Sequence, residues 1–273
     1  MTAAAVEPGV ATTNGHTFTQ GLALSHRAIL RFARQPSSWI PATVFPLLLV
    51  AVNSSAMGGV ASIPGVIPPG TTFLMFLLPA AIIQGVMFGG INGGSELATD
   101  IQGGFFDRLV ASPVSRPAIL IGRLAGAMAF GLVQAIFFQV VLLPFGAEVR
   151  GGIPGRLVLV VVAVLLSLGL GSIAAGLAAR TGQPEAVQGF FPLIFILLFL
   201  SSAFFPTRLM SGWYQRLAEL NPITWMVDGM RVQVLEEFSP SAAAVSIGVC
   251  LGICVIGMTF ATRQLQRRLA VAS

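Results

Sequence analysis

Apolar residues fall in six long runs, at about 39–57, 72–91, 118–145, 157–179, 187–205 and 242–262, with short polar stretches between them. Each run has the roughly 20 residues that a helix needs to cross about 30 Å of hydrocarbon. The pattern predicts six transmembrane helices. Pro79 and Pro192 lie inside runs, where a kink is tolerated if neighbouring groups satisfy the freed backbone. No inverted internal repeat of the kind found in many secondary transporters is visible. Ahead of the first run, residues 1–17 lack both the basic start and the apolar core of a cleaved signal, so they predict a disordered tail. Residues 18–36 predict a helix lying in the membrane interface. Arg27, Arg31 and Arg34 share one face, while Leu22, Ile29, Phe32 and Ala33 lie roughly opposite. Pro36 interrupts that helix, and Trp39 marks the membrane boundary.

Composition changes the picture from apolar helices to lipid as the main solvent. Hydrophobic residues make up 55% and charged residues 9%, against roughly a quarter charged in a soluble domain. The fold class expected is an all-α integral membrane protein. The net charge is +5 and every basic side chain is Arg, which suits contact with anionic lipid heads. No basic patch with interleaved aromatics points to nucleic acid. With the N-terminus inside, Arg27, 31, 34, 108, 116, 123, 180, 263, 267 and 268 lie in the cytoplasm. Arg150, 156, 208, 216 and 231 lie outside. The positive-inside rule therefore places both termini in the cytoplasm.

Charge concentrates in one island between the second and third runs, at about 96–123. It holds Glu96, Asp100 and Asp107 with Arg108, Arg116 and Arg123. Gly103-Gly104 predicts a turn. Phe105, Phe106, Leu109 and Val110 then make an apolar stripe at helical spacing beside Asp107 and Arg108, ending before Pro113. Two readings stay open for this short amphipathic helix: a docking element for a soluble partner, or a loop whose stripe rests on lipid. The density of charge favours docking.

The chain resembles the membrane subunit of an ABC type-2 permease, in the daunorubicin-resistance-like branch. Three stretches carry the resemblance. The first runs from Glu96 through Arg108-Leu109 and Ser112-Pro113-Val114-Ser115-Arg116 to Gly122-Arg123. The second is Leu220-Asn221-Pro222-Ile223-Thr224-Trp225 with Asp228 and Arg231. The third is Phe204-Phe205-Pro206. The resemblance implies an interfacial connecting helix at 18–36 and a six-span permease domain over 37–268. It implies a coupling helix at about 96–116, which docks on a separate nucleotide-binding ATPase, and re-entrant helices on the outer side at about 206–240. Coupling then falls to Glu96, Phe105, Phe106, Asp107, Arg108, Leu109, Arg116 and Arg123. ATP and Mg would be bound by that ATPase; no cofactor is expected in this chain. A second permease subunit, the same chain or a paralogue, completes the expected assembly in the cell inner membrane. The chain has no G-x-x-x-x-G-K-[ST] sequence and no Lys, so it is not expected to hydrolyse ATP itself.

The cargo route is less marked. Phe76, Gln84, Phe88, Asn92, Phe195 and Phe199 are candidates to line it, and such a wall suits a lipophilic drug or a lipid. Packing and lipid contact explain most of these residues equally well. Polar span residues such as Gln134, Ser167, Ser201 and Ser202 are expected to bond between helices. Phe204, Phe205, Pro206, Trp225, Asp228 and Arg231 are the candidates for an outer gate, with Asp228 and Arg231 three apart and able to pair on one turn. Cys250 and Cys254 lack further ligands for a metal and read as packing residues. Two rival functions are an ion-coupled secondary transporter and a non-transporting scaffold. The first expects titratable groups deep in the spans, and none stands there; the second expects partner binding without cargo movement.

Overall fold

A computed structural model describes residues 36–106, 108 and 116–271. The expected tail and connecting helix lie outside the described residues. The described chain is helical, with no strand. In order, the α-helices are α1 (Pro36–Ala56), α2 (Phe73–Gln102), α3 (Arg116–Leu142), α4 (Gly152–Thr181), α5 (Pro184–Gln188), α6 (Phe190–Phe199), α7 (Gly212–Leu220), α8 (Pro222–Leu235) and α9 (Pro240–Val271). Five of them, α1, α2, α3, α4 and α9, are long and apolar enough to cross a membrane. The protein is read as a multi-pass membrane protein on that basis.

α4 is the central post and packs on α9, α2 and α3. α2 is the most enclosed of the five. Small residues allow that enclosure. A Cβ on Gly89 would sit 1.8 Å from the ring of Phe130, and one on Gly94 would sit 2.4 Å from the Ala174 Cβ. Side-chain bonds tie other helix pairs, α3 to α4, α1 to α3 and α4 to α9. Ser167 donates to the Ala127 carbonyl, Gln134 donates to Thr43, and Cys254 donates to the Leu165 carbonyl. These are the interhelical bonds expected of polar residues in apolar spans.

Two expected spans take a different form. α2 has 30 residues, about 45 Å at 1.5 Å per residue, so it outruns the hydrocarbon and carries Glu96 and Asp100 on its last turns. The polar island therefore begins as helix, and the turn falls at Gly103-Gly104, where Gly104 has φ +67°. The expected fifth span is divided. Gly189 separates α5 from α6, and α6 ends at Phe199 instead of continuing to Phe205. Competing side-chain bonds end it. The Ser201 hydroxyl donates back to the Leu198 carbonyl and accepts from the Ala203 amide, a local alternative to the helix ladder.

Candidate functional site

The two ends of the bundle carry the candidate chemistry. One end, here the cap end, holds the 57–72 connection, α7 and α8. The other, the turn end, holds Gly103-Gly104, α5 and the close of α9.

At the cap end, Asn221 and Pro222 start α8. The Asn221 side chain accepts from the Ile223 amide at 2.9 Å, as an N-cap should. Its amide nitrogen donates to the carbonyls of Leu197 at 2.7 Å and Leu200 at 3.1 Å. Those carbonyls belong to the end of α6, where a helix leaves acceptors unmet. One residue thus opens α8 and closes α6. Nearly three turns on, Arg231 engages all five of its N–H groups. Nε donates to the Phe76 carbonyl, Nη1 to Asp228 Oδ1 and Ser202 Oγ, and Nη2 to the Ser202 and Ala203 carbonyls. The Asp228 pair is 2.5 Å long, and the guanidinium lies 3.6 Å from the centre of the Phe76 ring. Ser202 closes the circuit by donating to Asp228 Oδ1 at 2.7 Å, while its amide donates to Thr224. Arg231 is only 7% exposed. Burial pushes its pKa down to about 10 and Asp228 pulls it back up, so it stays a cation at neutral pH. α8 is not among the five long apolar helices.

α7 sorts its side chains three ways. Tyr214 donates to the Phe199 carbonyl at 2.7 Å, and Ala218 is buried. Gln215 and Glu219 bond each other. Trp213, Leu217 and Leu220 are exposed at i, i+4 and i+7, a stripe suited to the interface. Further bonds hold the cap connection. Arg150 donates to the carbonyls of Pro69 and Gly70, and Arg208 donates to that of Gly65. A cavity of about 600 Å³ remains between these parts.

Of the gate candidates, Asp228 and Arg231 form the pair expected, and Pro206 lines the cavity with them. Phe204 is buried and stacks on Phe199 at 4.7 Å, while Phe205 is half-buried. Trp225 is exposed and donates to the Glu219 carbonyl. Ser202 completes the Asp228–Arg231 network, and Asn221 and Arg208 tie neighbouring segments of the cap; none of the three is among the expected gate residues. The Asn-Pro pair before an apolar stretch was the sequence signal for the first helical turn; nothing in the sequence ties Ser202 to residue 231.

The route candidates divide. Phe88, Phe195 and Phe199 join one aromatic ladder, through Phe88–Phe191 at 4.6 Å, Phe191–Phe195 at 5.4 Å and Phe195–Phe199 at 4.9 Å. Phe45 of α1 touches Phe88 and Phe195. Phe76 stands apart, stacked on Phe73 and under Arg231. Gln84 is fully buried, with neither amide atom hydrogen-bonded among the described residues. Asn92 is half-buried further along α2.

At the turn end, Glu96 and Phe105 are half-buried and Arg108 is exposed, with Nε donating to the Gly104 carbonyl. Phe106 corrects the expected apolar stripe. It is 2% exposed and belongs to the chain's own core, so it has no surface left for a partner. Arg116 opens α3 and Arg123 lies two turns along it. Asp107 and Leu109 lie outside the described residues. Gln188 of α5 donates to Ser95, and Arg268 donates to the Ala179 carbonyl.

The family described as ABC-2 type transporter matches residues 19–235. The chain is 28% identical over 202 residues to the daunorubicin resistance ABC transporter permease protein DrrB1 of Streptomyces coeruleorubidus, covering 72% of this chain and 69% of that one. It is 24% identical over 242 residues to the probable doxorubicin resistance ABC transporter permease protein DrrC of Mycobacterium tuberculosis, covering 87% and 84%. It is 27% identical over 212 residues to the inner membrane transport permease YadH of Escherichia coli K12, covering 75% and 78%.

Proposed function

The chain belongs to the ABC-2 type transporter family, and we propose that it is the permease subunit of an ATP-driven exporter of a lipophilic drug-like or lipid cargo. A membrane permease subunit of an ABC transporter is what the family supplies; direction and cargo are the finer reading. The family match over 19–235 carries the assignment, and resistance permeases among the relatives favour export of drug-like compounds. The aromatic ladder from Phe88 through Phe191, Phe195 and Phe199 to Phe204 supports an apolar cargo.

In this reading the turn end faces the cytoplasm, following the arginine distribution. There α2 passes beyond the hydrocarbon, turns at Gly103-Gly104 and offers Phe105 and Arg108 to an ATPase that binds ATP and Mg. Asp107, Leu109, Arg116 and Arg123 complete the docking element, and Glu96 stands at its base. Rim charges of this kind set register more than affinity. α5 and α6 with residues 200–206 make the sixth crossing, and both termini are cytoplasmic. The cap end faces outward, where Asp228 and Arg231 with Phe204, Phe205, Pro206 and Trp225 form the gate. A second copy or a paralogue supplies the other half of the route. Domain bounds follow at 18–36 for the connecting helix and 37–268 for the permease.

The test is co-purification with the ATPase encoded beside its gene, followed by reconstitution in vesicles. A stable complex whose ATP hydrolysis rises with lipophilic compounds is the expected result. Failure to form a complex with any ATPase would leave the chain without an energy source and favour a scaffold.

A further inference from the structure

α9 carries no acidic residue anywhere along its length. It packs on α4 and α8, whereas the aromatic ladder belongs to α1, α2 and α6. Its outer face is apolar and exposed at Val245, Val255 and Ile256. That face ends in Arg263 and Arg267, both exposed and both without a hydrogen bond or ion pair among the described residues. Arg180 joins them from α4. A Cβ on Gly176 would meet Phe260 and Ala261 of α9, so Arg180, one turn further along α4, comes level with about residue 264. It too is exposed and unpaired among the described residues. Arg268 behind them is committed to the Ala179 carbonyl, and Thr259 and Thr262 satisfy their hydroxyls on the carbonyls of Val255 and Met258. The acids described at this end, Glu96, Asp100 and Glu185, stand on α2 and α5. Three guanidinium groups thus close an apolar face with no anion of the chain bound to them. The spacing suits one leaflet: from Gly252 to Arg263 is about 16 Å along the helix, close to half of the roughly 30 Å hydrocarbon core.

We propose that the turn-end face of α9 binds an anionic phospholipid. An acyl chain lies along Gly252, Val255 and Ile256, and the phosphate meets Arg263, Arg267 and Arg180. Guanidinium groups suit that phosphate because their paired N–H groups match its oxygens, and basic side chains at a span's end favour an anionic leaflet. Charge also decides against a second copy of the chain. Gly248 and Gly252 lie on the same face with nothing within 4 Å of an added Cβ, and such pairs let two helices close. A two-fold contact there would set Arg263 and Arg267 against their own images, whereas a phosphate neutralises them. The site rests on the chain spanning a membrane and not on the export reading.

The experiment uses the full-length chain in detergent, with bound lipid counted by native mass spectrometry and melting followed in parallel. The probes are dioleoyl phosphatidylglycerol, dioleoyl phosphatidylcholine and inorganic phosphate. Phosphatidylglycerol is expected to bind about tenfold tighter than phosphatidylcholine. Combining Arg263→Gln with Arg267→Gln is expected to bring the two lipids within about twofold of each other. Melting without lipid should stay near the parent's, because neither arginine bonds the rest of the described chain. Lysine at both positions keeps the charge and should keep most of the preference, which separates lost charge from a damaged fold. Arg216→Gln, at an exposed arginine of α7 in the cap, should leave the preference unchanged. Equal binding of the two lipids by the parent would overturn the proposal, as would a preference that survives the glutamine pair or falls as far in Arg216→Gln. Inorganic phosphate that raises melting as much as phosphatidylglycerol would make this a site for a free anion and overturn the lipid. A glutamine pair that keeps the lipid preference but no longer co-purifies with an ATPase would give the arginines to that protein. A dimer that forms in either lipid and is lost in Gly252→Leu would give the face to a second copy.

Discussion

At the cap end one buried arginine bonds the backbone of residues 76, 202 and 203 and the side chains of Ser202 and Asp228. At the turn end exposed Arg108 bonds, among the described residues, only the carbonyl of Gly104 in its own turn. Burial accounts for the difference. A guanidinium taken out of water needs every donor met, so Arg231 has drawn backbone from α2 and from the turn after α6, with the Asp228 carboxylate of its own helix, into one knot. A guanidinium left in water gains little from any single contact, so Arg108 stays exposed. Stability is concentrated at one end and surface for exchange at the other.

The sharpest way to break this contrast is Arg231→Met. The variant leaves the Phe76, Ser202 and Ala203 carbonyls without their donor and Asp228 without its cation. A loss of about 2–4 kcal/mol is expected, read as a lower melting temperature of the purified chain in detergent. Arg231→Lys should recover only part of it, because one ammonium cannot reach five acceptors. Asn221→Ala comes next. It removes the cap of α8 and the donor to Leu197 and Leu200 together, and about 1–3 kcal/mol should be lost. Arg108→Glu sits at the other extreme. Its melting should stay within about 0.5 kcal/mol of the parent, while ATP hydrolysis in the reconstituted complex no longer responds to cargo. Should Arg108→Glu melt as early as Asn221→Ala, the division of labour between the two ends is wrong.

The sequence made some of this readable and hid the rest for physical reasons. Apolar runs located all the long helices, because lipid demands about 20 apolar residues wherever a helix crosses. The Asp228–Arg231 pair was readable because it lies within one helical turn. The extension of α2 to Gln102 was not, because once outside the hydrocarbon a helix needs no apolar signal. The break at Gly189 and the early end of α6 were hidden by a continuous apolar run; the early end comes from hydrogen bonding by Ser201 and Asn221, which composition does not show. Phe106 looked like one member of an exposed stripe beside Phe105, yet tertiary packing takes one ring into the core and leaves its neighbour half-buried. The knot around Arg231 depends on contacts 155 and 29 residues apart, and one sequence carries no sign of those.

A modest effect gives the cleanest reading of the cap. Tyr214 is the chain's one tyrosine, so absorbance of the ionised phenol reports this site alone. Its hydroxyl donates to the Phe199 carbonyl, and burial raises its pKa above the ordinary value of about 10. Because the folded value is the higher one, folding favours the protonated phenol. The stabilisation is complete below the unfolded pKa and is lost as pH climbs through the folded one. A titration midpoint above that of the denatured chain is expected, with melting that declines as pH rises past about 10. Tyr214→Phe should cost about 0.5–1.5 kcal/mol at neutral pH and remove that share of the alkaline decline. The same titration then separates the two ends. In Arg108→Glu the midpoint should not move, since α7 is anchored at the opposite end of the bundle. In Asn221→Ala it should fall toward the denatured value, because the α6 end that accepts the phenol loses its other donor. A midpoint that moves with Arg108 and ignores Asn221 would mean that the anchoring of α7 is set from the turn end.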